Sequence, residues 1–330
     1  MKTPLLEAKD IKGLFGIMPT PATPNASDYK VPFTVNLQET ARAVDSLVKD
    51  GINAIMITGT LGEGSTLNDA EWRAYTATVA KTVNGRIPVI CGPTTLNTRA
   101  TIERAKFGRD VGASGMLLGL PMWQEMPIEA IIEFYQNIAE AVPELGIIVY
   151  DNPGAFKVRH TPELWKQLLS IPQVVAAKIV KPDQIYVDSL NATRGKIKLM
   201  PTETAYPSYA KQFPDYVNAF WSSKVGTGPL AETILRDLVV AKKWDEANKL
   251  AARIEEAGNY FPKDFSLFLT HNIQLEKVRS TASGYMNAGP ARPPYHLLPK
   301  ELEQLATAAG TRLRDLNKEL KEHPIEAVSR

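Results

Sequence analysis

Residues 52–83 read INAIMITGTLGEGSTLNDAEWRAYTATVAKTV and contain the unit that decides the fold. The unit begins with Ile52–Thr58, an apolar run with the length and composition of a buried strand. A glycine-rich turn follows, and Asn68 then stands where the N-cap of a helix is expected. Acidic residues fill the first turn of that helix, Asp69–Val83, where the helix dipole favours them. The segment therefore predicts a strand, a turn and a helix in succession.

The same unit recurs along the chain. The other apolar runs of strand length are Leu14–Met18, Ile87–Cys91, Ser114–Leu118, Gly146–Tyr150, Val174–Lys178, Ile197–Met200 and Val217–Trp221. Helical patterns lie between them, at Leu37–Asp50 behind Asn36, at Thr98–Asp110 behind Asn97, from Pro127 as first helical residue to Ala141, and after Thr161. Eight such units predict an α/β fold, a (β/α)8 TIM barrel, over residues 1–225. A doubly wound parallel sheet is the alternative, although that fold usually needs fewer strands.

The strand signals stop after Gly226, and helical patterns fill the rest of the chain. They cover Pro229–Ala257, Asp264–Gly284 and Pro299–Leu320. Residues 226–330 are therefore predicted to form a C-terminal helical extension of the barrel rather than an obviously independent domain.

The composition is that of an ordinary globular protein, and it excludes several classes of partner. The chain has 330 residues, of which 44% are hydrophobic, and a formal net charge of +2 with its basic residues spread along the sequence. We therefore expect no nucleic-acid partner. No apolar stretch reaches the ~18 residues of a membrane span, and the N-terminal residues lack an apolar export segment, so we expect a cytoplasmic protein. Cys91 is the only cysteine, which excludes an internal disulfide.

Lys178 ends the apolar run that begins at Val174. Lysine is rarely buried unless it is paired or functional, and burial disfavours the ammonium form. A neutral amine at the end of a strand is a nucleophile for a ketone. The alternative is a lysine whose ammonium group reaches solvent from the strand terminus.

Other chemically capable residues stand at the ends of other strands, and in a barrel these ends surround one opening. The turn Gly59–Gly64 can expose backbone N–H groups that suit a carboxylate. Tyr150 is a candidate acid or base, and Trp221 is either part of an aromatic wall or core filling. The sequence has no nucleotide-binding glycine motif, and its four histidines lack metal-ligand spacing, so it favours neither a nucleotide cofactor nor a metal site.

The ordered set Gly59-Thr60-x-Gly62-Glu63, Tyr150-x-Asn152-Pro153 and Lys178 resembles the dihydrodipicolinate synthase / N-acetylneuraminate lyase superfamily, whose members are Schiff-base pyruvate aldolases. The resemblance runs from about Gly13 to Leu298. Several segments are more similar to the hydratase-aldolases of aromatic hydrocarbon breakdown: 17–21, 94–99, 120–123, 219–223, 272–277 and 289–295.

The departures from dihydrodipicolinate synthase favour an aromatic substrate. Leu61 replaces the second threonine of the glycine-rich turn, and Ala155 stands where that enzyme has an arginine for the carboxylate of its second substrate. Trp123 aligns with the tyrosine that a neighbouring subunit supplies there. Without those polar groups, charge-assisted binding of a second carboxylate is lost, and two tryptophans offer an apolar surface instead.

The resemblance implies a carbon–carbon lyase that cleaves an arylidene-pyruvate, of the trans-o-hydroxybenzylidenepyruvate type, to an aromatic aldehyde and pyruvate. In this interpretation Lys178 forms the Schiff base and Tyr150 transfers protons. The pyruvate carboxylate would be held by the backbone of Thr60 and Leu61 and by the Thr60 hydroxyl. Candidates for the aryl ring and the attacking water are Trp123, Trp221, Asn152, Asn272 and, more weakly, Phe156. The family also implies a homotetramer.

Three alternatives stay open. The same chemistry could act on trans-2'-carboxybenzalpyruvate, with Lys157 or Lys181 meeting the extra carboxylate, although both could equally be solvated surface charges. Another pyruvate aldolase or dehydratase of the superfamily would act on a sugar acid or an amino-acid precursor. A non-catalytic barrel that only binds a ligand is the third, and an intact Lys178 and Tyr150 argue against it.

Overall fold

Eight parallel strands form the centre of the molecule in a computed structural model that describes residues 5–180, 182–260 and 265–325. In chain order they are β1 Gly13–Ile17, β2 Ala54–Ile57, β3 Val89–Cys91, β4 Gly115–Leu118, β5 Gly146–Asp151, β6 Val174–Ile179, β7 Lys198–Met200 and β8 Ala219–Ser222. Strands β1 to β7 pair in chain order, and β1 also pairs with β8. A parallel bridge between Thr202 and Trp221 brings β7 to β8. The predicted (β/α)8 barrel is confirmed.

Helices follow the strands and cover the outside of the barrel. The first eight are α1 Leu37–Lys49, α2 Asp69–Val83, α3 Thr98–Asp110, α4 Ile128–Ala141, the short α5 Pro153–Phe156, α6 Pro162–Leu168, α7 Gln184–Thr193 and α8 Tyr206–Gln212. The remaining four are α9 Leu230–Val240, α10 Trp244–Gly258, α11 Phe265–Ala282 and α12 Lys300–Glu322. The caps agree with the sequence. The Asn68 side chain, for example, accepts a hydrogen bond from the Glu71 amide at 2.9 Å, and the Glu71 carboxylate accepts one from the Asn68 amide at 3.0 Å.

Several helices differ from the prediction in where they begin, end or break. Pro127 is the N-cap of α4 rather than its first helical residue. The predicted helix 229–257 is two helices, α9 and α10, because the chain reverses at Lys242, whose φ of 58° is incompatible with a continuous α-helix. Asp264, the predicted start of the next helix, lies outside the described residues, and α11 changes direction at His271, where φ is −128°.

The C-terminal helices fall into two groups by what they contact. Helix α9 follows β8 and packs on β1, so it takes the place of the eighth barrel helix. Helices α11 and α12 pack on each other around a small second core that includes Tyr260, Leu275 and Ala306. The predicted division at residue 225 remains a prediction. In the described ranges no helix is long and apolar enough to cross a membrane.

Candidate active site

Lys178 lies in the barrel with its amine between two aromatic rings. It is paired in register with Tyr150 of the neighbouring strand β5, and only 4% of its surface is exposed. Its Nζ lies 4.1 Å from the centroid of the Tyr150 ring and 3.8 Å from that of Trp221. Trp221 comes from β8, and its indole N–H donates to the Ile179 carbonyl at 2.9 Å. The strand ends therefore bring together three of the residues predicted from separate motifs.

The Tyr150 hydroxyl is the centre of a small polar group. A hydrogen bond of 3.1 Å joins it to the Thr60 hydroxyl, and the Asn152 amide donates to it at 3.2 Å. The same Asn152 nitrogen lies 3.5 Å from Thr60 Oγ1. The Tyr150 ring packs edge-on against Phe156, with 5.2 Å between the ring centroids. These contacts fix the direction of the Tyr150 hydroxyl, which a proton-transfer group requires.

The pKa values of both central groups are lowered, each for a different reason. Burial lowers the pKa of Lys178, and the neighbouring Tyr150 and the more remote Glu276 and Asp151 oppose this only in part. Burial alone would raise the pKa of Tyr150, but the Lys178 charge and the hydrogen bonds from Thr60 and Asn152 outweigh it, so the pKa of Tyr150 is also lowered. Both shifts favour proton exchange at ordinary pH.

The glycine-rich turn after β2 is held in a tight conformation beside Tyr150. Two non-glycine residues, Thr58 and Glu63, have a φ of 56°. The Glu63 amide donates to the Thr60 carbonyl at 3.0 Å, and a Cβ at Gly62 would lie 2.7 Å from the Thr58 nitrogen. In the described part of the chain, no group accepts a hydrogen bond from the amide of Thr60 or Leu61. Two adjacent free amides beside a hydroxyl can bind a carboxylate.

Among the described residues, no hydrogen bond or ring contact joins Trp123 or Asn272 to the Lys178 amine. The Trp123 side chain is 76% exposed, and its carbonyl accepts a hydrogen bond from the Lys157 ammonium at 2.7 Å. Asn272 lies on α11 directly after the change of direction, and within the described residues its buried Oδ1 has no hydrogen-bond donor. Lys181 lies outside the described residues. The roles assigned to the individual site residues remain predictions.

Sequence reasoning assigned no role to two buried groups of the strand-end motifs. Asp151 lies between Tyr150 and Asn152 in the chain, and one of its carboxylate oxygens accepts from the His160 amide at 3.1 Å and lies 3.0 Å from the His160 Nδ1. The second group is Glu63, which contacts residues far along the chain and is described below. The sequence signal for both was a charge within the turn or motif that follows a predicted strand, but it did not identify the partner of either charge. No group of three acidic, histidine or cysteine side chains in the described ranges is arranged to hold a metal ion.

Comparison with known proteins places the barrel in a family. The model of the dihydrodipicolinate synthetase family matches residues 14–198, which include the turn after β2, Tyr150 and Lys178. The chain belongs to the dihydrodipicolinate synthetase family. The resemblance predicted from the sequence motifs is therefore confirmed.

Its relatives within the family include enzymes of one reaction type. A trans-o-hydroxybenzylidenepyruvate hydratase-aldolase of Pseudomonas aeruginosa is 43% identical over 316 residues, 94% of each chain. A trans-2'-carboxybenzalpyruvate hydratase-aldolase of Nocardioides sp. strain KP7 is 36% identical over 94% of this chain and 96% of its own. The solved structure described as PhdJ bound to substrate intermediate is 40% identical, with a TM-score of 0.93 over 95% of this chain and 98% of that one.

Proposed function

We propose that this protein is a hydratase-aldolase that cleaves an arylidene-pyruvate of the trans-o-hydroxybenzylidenepyruvate type to an aromatic aldehyde and pyruvate. The observation that carries the proposal is the buried amine of Lys178, whose pKa is lowered and which lies against Tyr150 and Trp221. Relatives of 43% and 36% identity along nearly the whole chain, both named hydratase-aldolases, support it.

The reaction begins when the neutral Lys178 amine attacks the C2 ketone of the substrate. The carbinolamine loses water, and a protonated imine remains. This cation withdraws electrons through the conjugated double bond, so a water molecule adds at the benzylic carbon and a proton is taken up at C3. Tyr150 is the nearest group that can exchange protons with the attacking and departing oxygens.

Cleavage uses the same cation as the electron sink. Tyr150 removes the proton of the new benzylic hydroxyl, the bond between C3 and C4 breaks, and its electron pair passes to the iminium nitrogen as an enamine. The aromatic aldehyde leaves. The enamine is protonated at C3, and hydrolysis of the imine releases pyruvate and regenerates Lys178. One water is consumed overall, and the sequence of steps requires neither a metal nor an organic cofactor.

The substrate carboxylate is assigned to the glycine-rich turn. The free amides of Thr60 and Leu61, with the Thr60 hydroxyl, form a group beside Tyr150 that can bind an anion. Trp221 and Asn152 are assigned to the bound substrate beside Lys178, and Trp123 and Asn272 to the aryl ring or the attacking water. Assembly as a homotetramer and a cytoplasmic location remain predictions.

A carboxylated substrate is the second candidate. The relative from Nocardioides supports it, because its name specifies trans-2'-carboxybenzalpyruvate. Of the two lysines predicted to meet such a carboxylate, the structure describes Lys157. Its ammonium group already donates a hydrogen bond to the Trp123 carbonyl. Binding a second carboxylate there would require Lys157 to leave that contact, so we favour the hydroxylated substrate.

Trapping the imine tests the proposal directly. The protein is treated with borohydride in the presence of pyruvate and analysed by mass spectrometry and peptide mapping, with Lys178→Ala as control. We expect one reduced pyruvyl adduct, located on Lys178 and absent from the variant. An adduct on another lysine, or none on folded protein, would refute the Schiff-base assignment. The ratio of kcat/KM for the two arylidene-pyruvates then decides between the substrates.

A further inference from the structure

The carboxylate of Glu63 joins the glycine-rich turn to the C-terminal part of the chain. Glu63 is completely buried. Its side chain accepts hydrogen bonds from the Lys277 ammonium at 2.5 Å, from the Arg292 amide at 2.8 Å and from the Arg292 guanidinium. Lys277 belongs to α11 and Arg292 to the segment before α12, so both cations come from outside the barrel strands. We call Glu63, Lys277 and Arg292 the turn clamp.

The turn clamp also holds the loop after β1. Lys277 donates to the Thr20 carbonyl at 3.0 Å, and the Thr20 hydroxyl donates to the Gly62 carbonyl at 2.6 Å. Arg292 donates through Nε to the Thr34 hydroxyl, which in turn donates to the buried carboxylate of Glu71, both at 2.6 Å. The two buried cations, Lys277 and Arg292, are therefore matched by two buried carboxylates, Glu63 and Glu71. This matters because a buried charge without a partner strongly destabilises the folded state.

The geometry of the turn depends on this group. Glu63 follows Leu61 by two residues and has a φ of 56°, a conformation that is strained for a side chain with a Cβ. Such a conformation persists only where the surroundings impose it. Here the hydrogen bonds from Lys277 and Arg292 hold the Glu63 carboxylate in place and so keep the backbone of Glu63 in this conformation. The Thr20 hydroxyl holds the neighbouring Gly62 through its carbonyl. The free amides of Thr60 and Leu61 lie within the segment that these contacts hold.

We propose that Lys277 and Arg292 are positioning residues, which act through Glu63 to keep the amides of Thr60 and Leu61 in the arrangement that binds the substrate carboxylate. The inference rests on the proposed function, since it assigns the carboxylate to these amides. The C-terminal segment would then contribute to substrate affinity without touching the substrate.

Comparing pyruvate with a ketone that lacks a carboxylate distinguishes an effect on carboxylate binding from a general effect on the fold. We would measure borohydride trapping on Lys178 as a function of the concentration of pyruvate and, separately, of acetone. In Lys277→Met we expect half-maximal trapping to need about 10- to 100-fold more pyruvate, the range for losing hydrogen bonds to a charged group. Trapping by acetone should change by less than about twofold, because acetone does not use the amides.

Lys224→Met is the matched control. It removes a buried ammonium that pairs with Glu203, and neither residue contacts the turn. We expect its pyruvate dependence to stay within about twofold of the unchanged protein, even where its stability falls. An unchanged pyruvate dependence in folded Lys277→Met would overturn the proposal, and so would a parallel loss of trapping by pyruvate and acetone.

A second variant keeps the test decisive if Lys277→Met does not fold. Glu63→Gln keeps the shape of the side chain but removes its charge, and it should weaken pyruvate binding selectively; an unaltered pyruvate dependence would refute the proposal. Where both variants fold, adding Lys277→Met to Glu63→Gln should cost no more than about a further twofold, because Lys277 acts through Glu63. Additive effects would refute that route. If the unchanged protein itself fails to trap pyruvate, the proposed function fails instead.

Discussion

Removal of the Tyr150 hydroxyl is the sharpest test of the proposed proton transfer. Tyr150→Phe keeps the ring, with its edge contact to Phe156 and its position 4.1 Å from the Lys178 amine. What is lost is one hydroxyl with hydrogen bonds of 3.1 and 3.2 Å to Thr60 and Asn152. At about 0.5–1.5 kcal/mol for each bond, the folded state should lose about 1–3 kcal/mol.

The loss in turnover should be larger than the loss in stability. A positioned general acid or base contributes about 10²- to 10⁴-fold, which corresponds to about 3–5 kcal/mol in the activation free energy. We therefore expect kcat for arylidene-pyruvate, followed by the loss of its ultraviolet absorbance, to fall by that factor. The pyruvate concentration for half-maximal trapping should change much less, because the amides of Thr60 and Leu61 are untouched.

Tyr135→Phe is the control for this prediction. Tyr135 is also buried; its hydroxyl hydrogen-bonds to the Leu118 carbonyl at 3.4 Å and lies 3.5 Å from His160 Nε2, and no contact joins it to Lys178 among the described residues. It should lose similar stability and little turnover. A kcat of Tyr150→Phe within about threefold of the unchanged protein would remove Tyr150 from proton transfer, since that is far below the effect of a general acid or base. Equal losses in the two variants would point to a structural effect.

Two further predictions concern titration. Burial lowers the pKa of Lys178, so trapping at low pyruvate concentration should rise with pH through a midpoint below the usual ~10.4; a midpoint at or above that value would contradict a desolvated amine. Burial, and then the charge of Glu203, raises the pKa of Glu232 from 4.5 to about 7, so stability is lost as the pH rises between these values, by about 3 kcal/mol. Glu232→Gln should therefore raise Tm more at pH 8 than at pH 5 in thermal melts followed by circular dichroism, and equal shifts would contradict the assignment.

The sequence was sufficient for the barrel and for the centre of the site because both follow from local patterns. Apolar runs mark the strands, and the carboxyl ends of parallel strands meet at one opening. Lys178 and Tyr150 terminate such runs, so their proximity followed from the topology, and the structure pairs them in register. The free amides of the turn after β2 likewise follow from its glycine spacing.

Contacts between distant segments could not be predicted in the same way. Glu276 and Lys277 stand between the apolar residues Leu275 and Val278 of α11, and this pattern indicates buried charges that need partners. Nothing in that stretch identifies Glu63, which is 214 positions away in the chain. The break between α9 and α10 was missed for a related reason. Lys242 has a positive φ, although neither it nor the residue before it is a glycine. The sequence therefore contains no helix-breaking residue at this position.

In the proposed mechanism, the surroundings of Lys178 favour the cationic intermediate without holding the free amine in an ion pair. Among the described residues no carboxylate forms an ion pair with its Nζ. Two buried carboxylates, Asp151 and Glu276, raise the pKa of Lys178 through their charge, but both form hydrogen bonds with other residues. Asp151 contacts His160, and Glu276 contacts Tyr260 and Arg279.

A carboxylate in direct contact would stabilise the ammonium form and raise the pKa of the nucleophile. The faces of Tyr150 and Trp221 attract a cation through their ring quadrupoles without taking its proton. A buried ammonium group can avoid the cost of its charge by losing a proton. The iminium must keep its charge, because that charge withdraws electrons from the substrate. The same two rings therefore tolerate the neutral amine before attack and stabilise the cation formed from it, which lowers the free energy of the imine relative to the free enzyme.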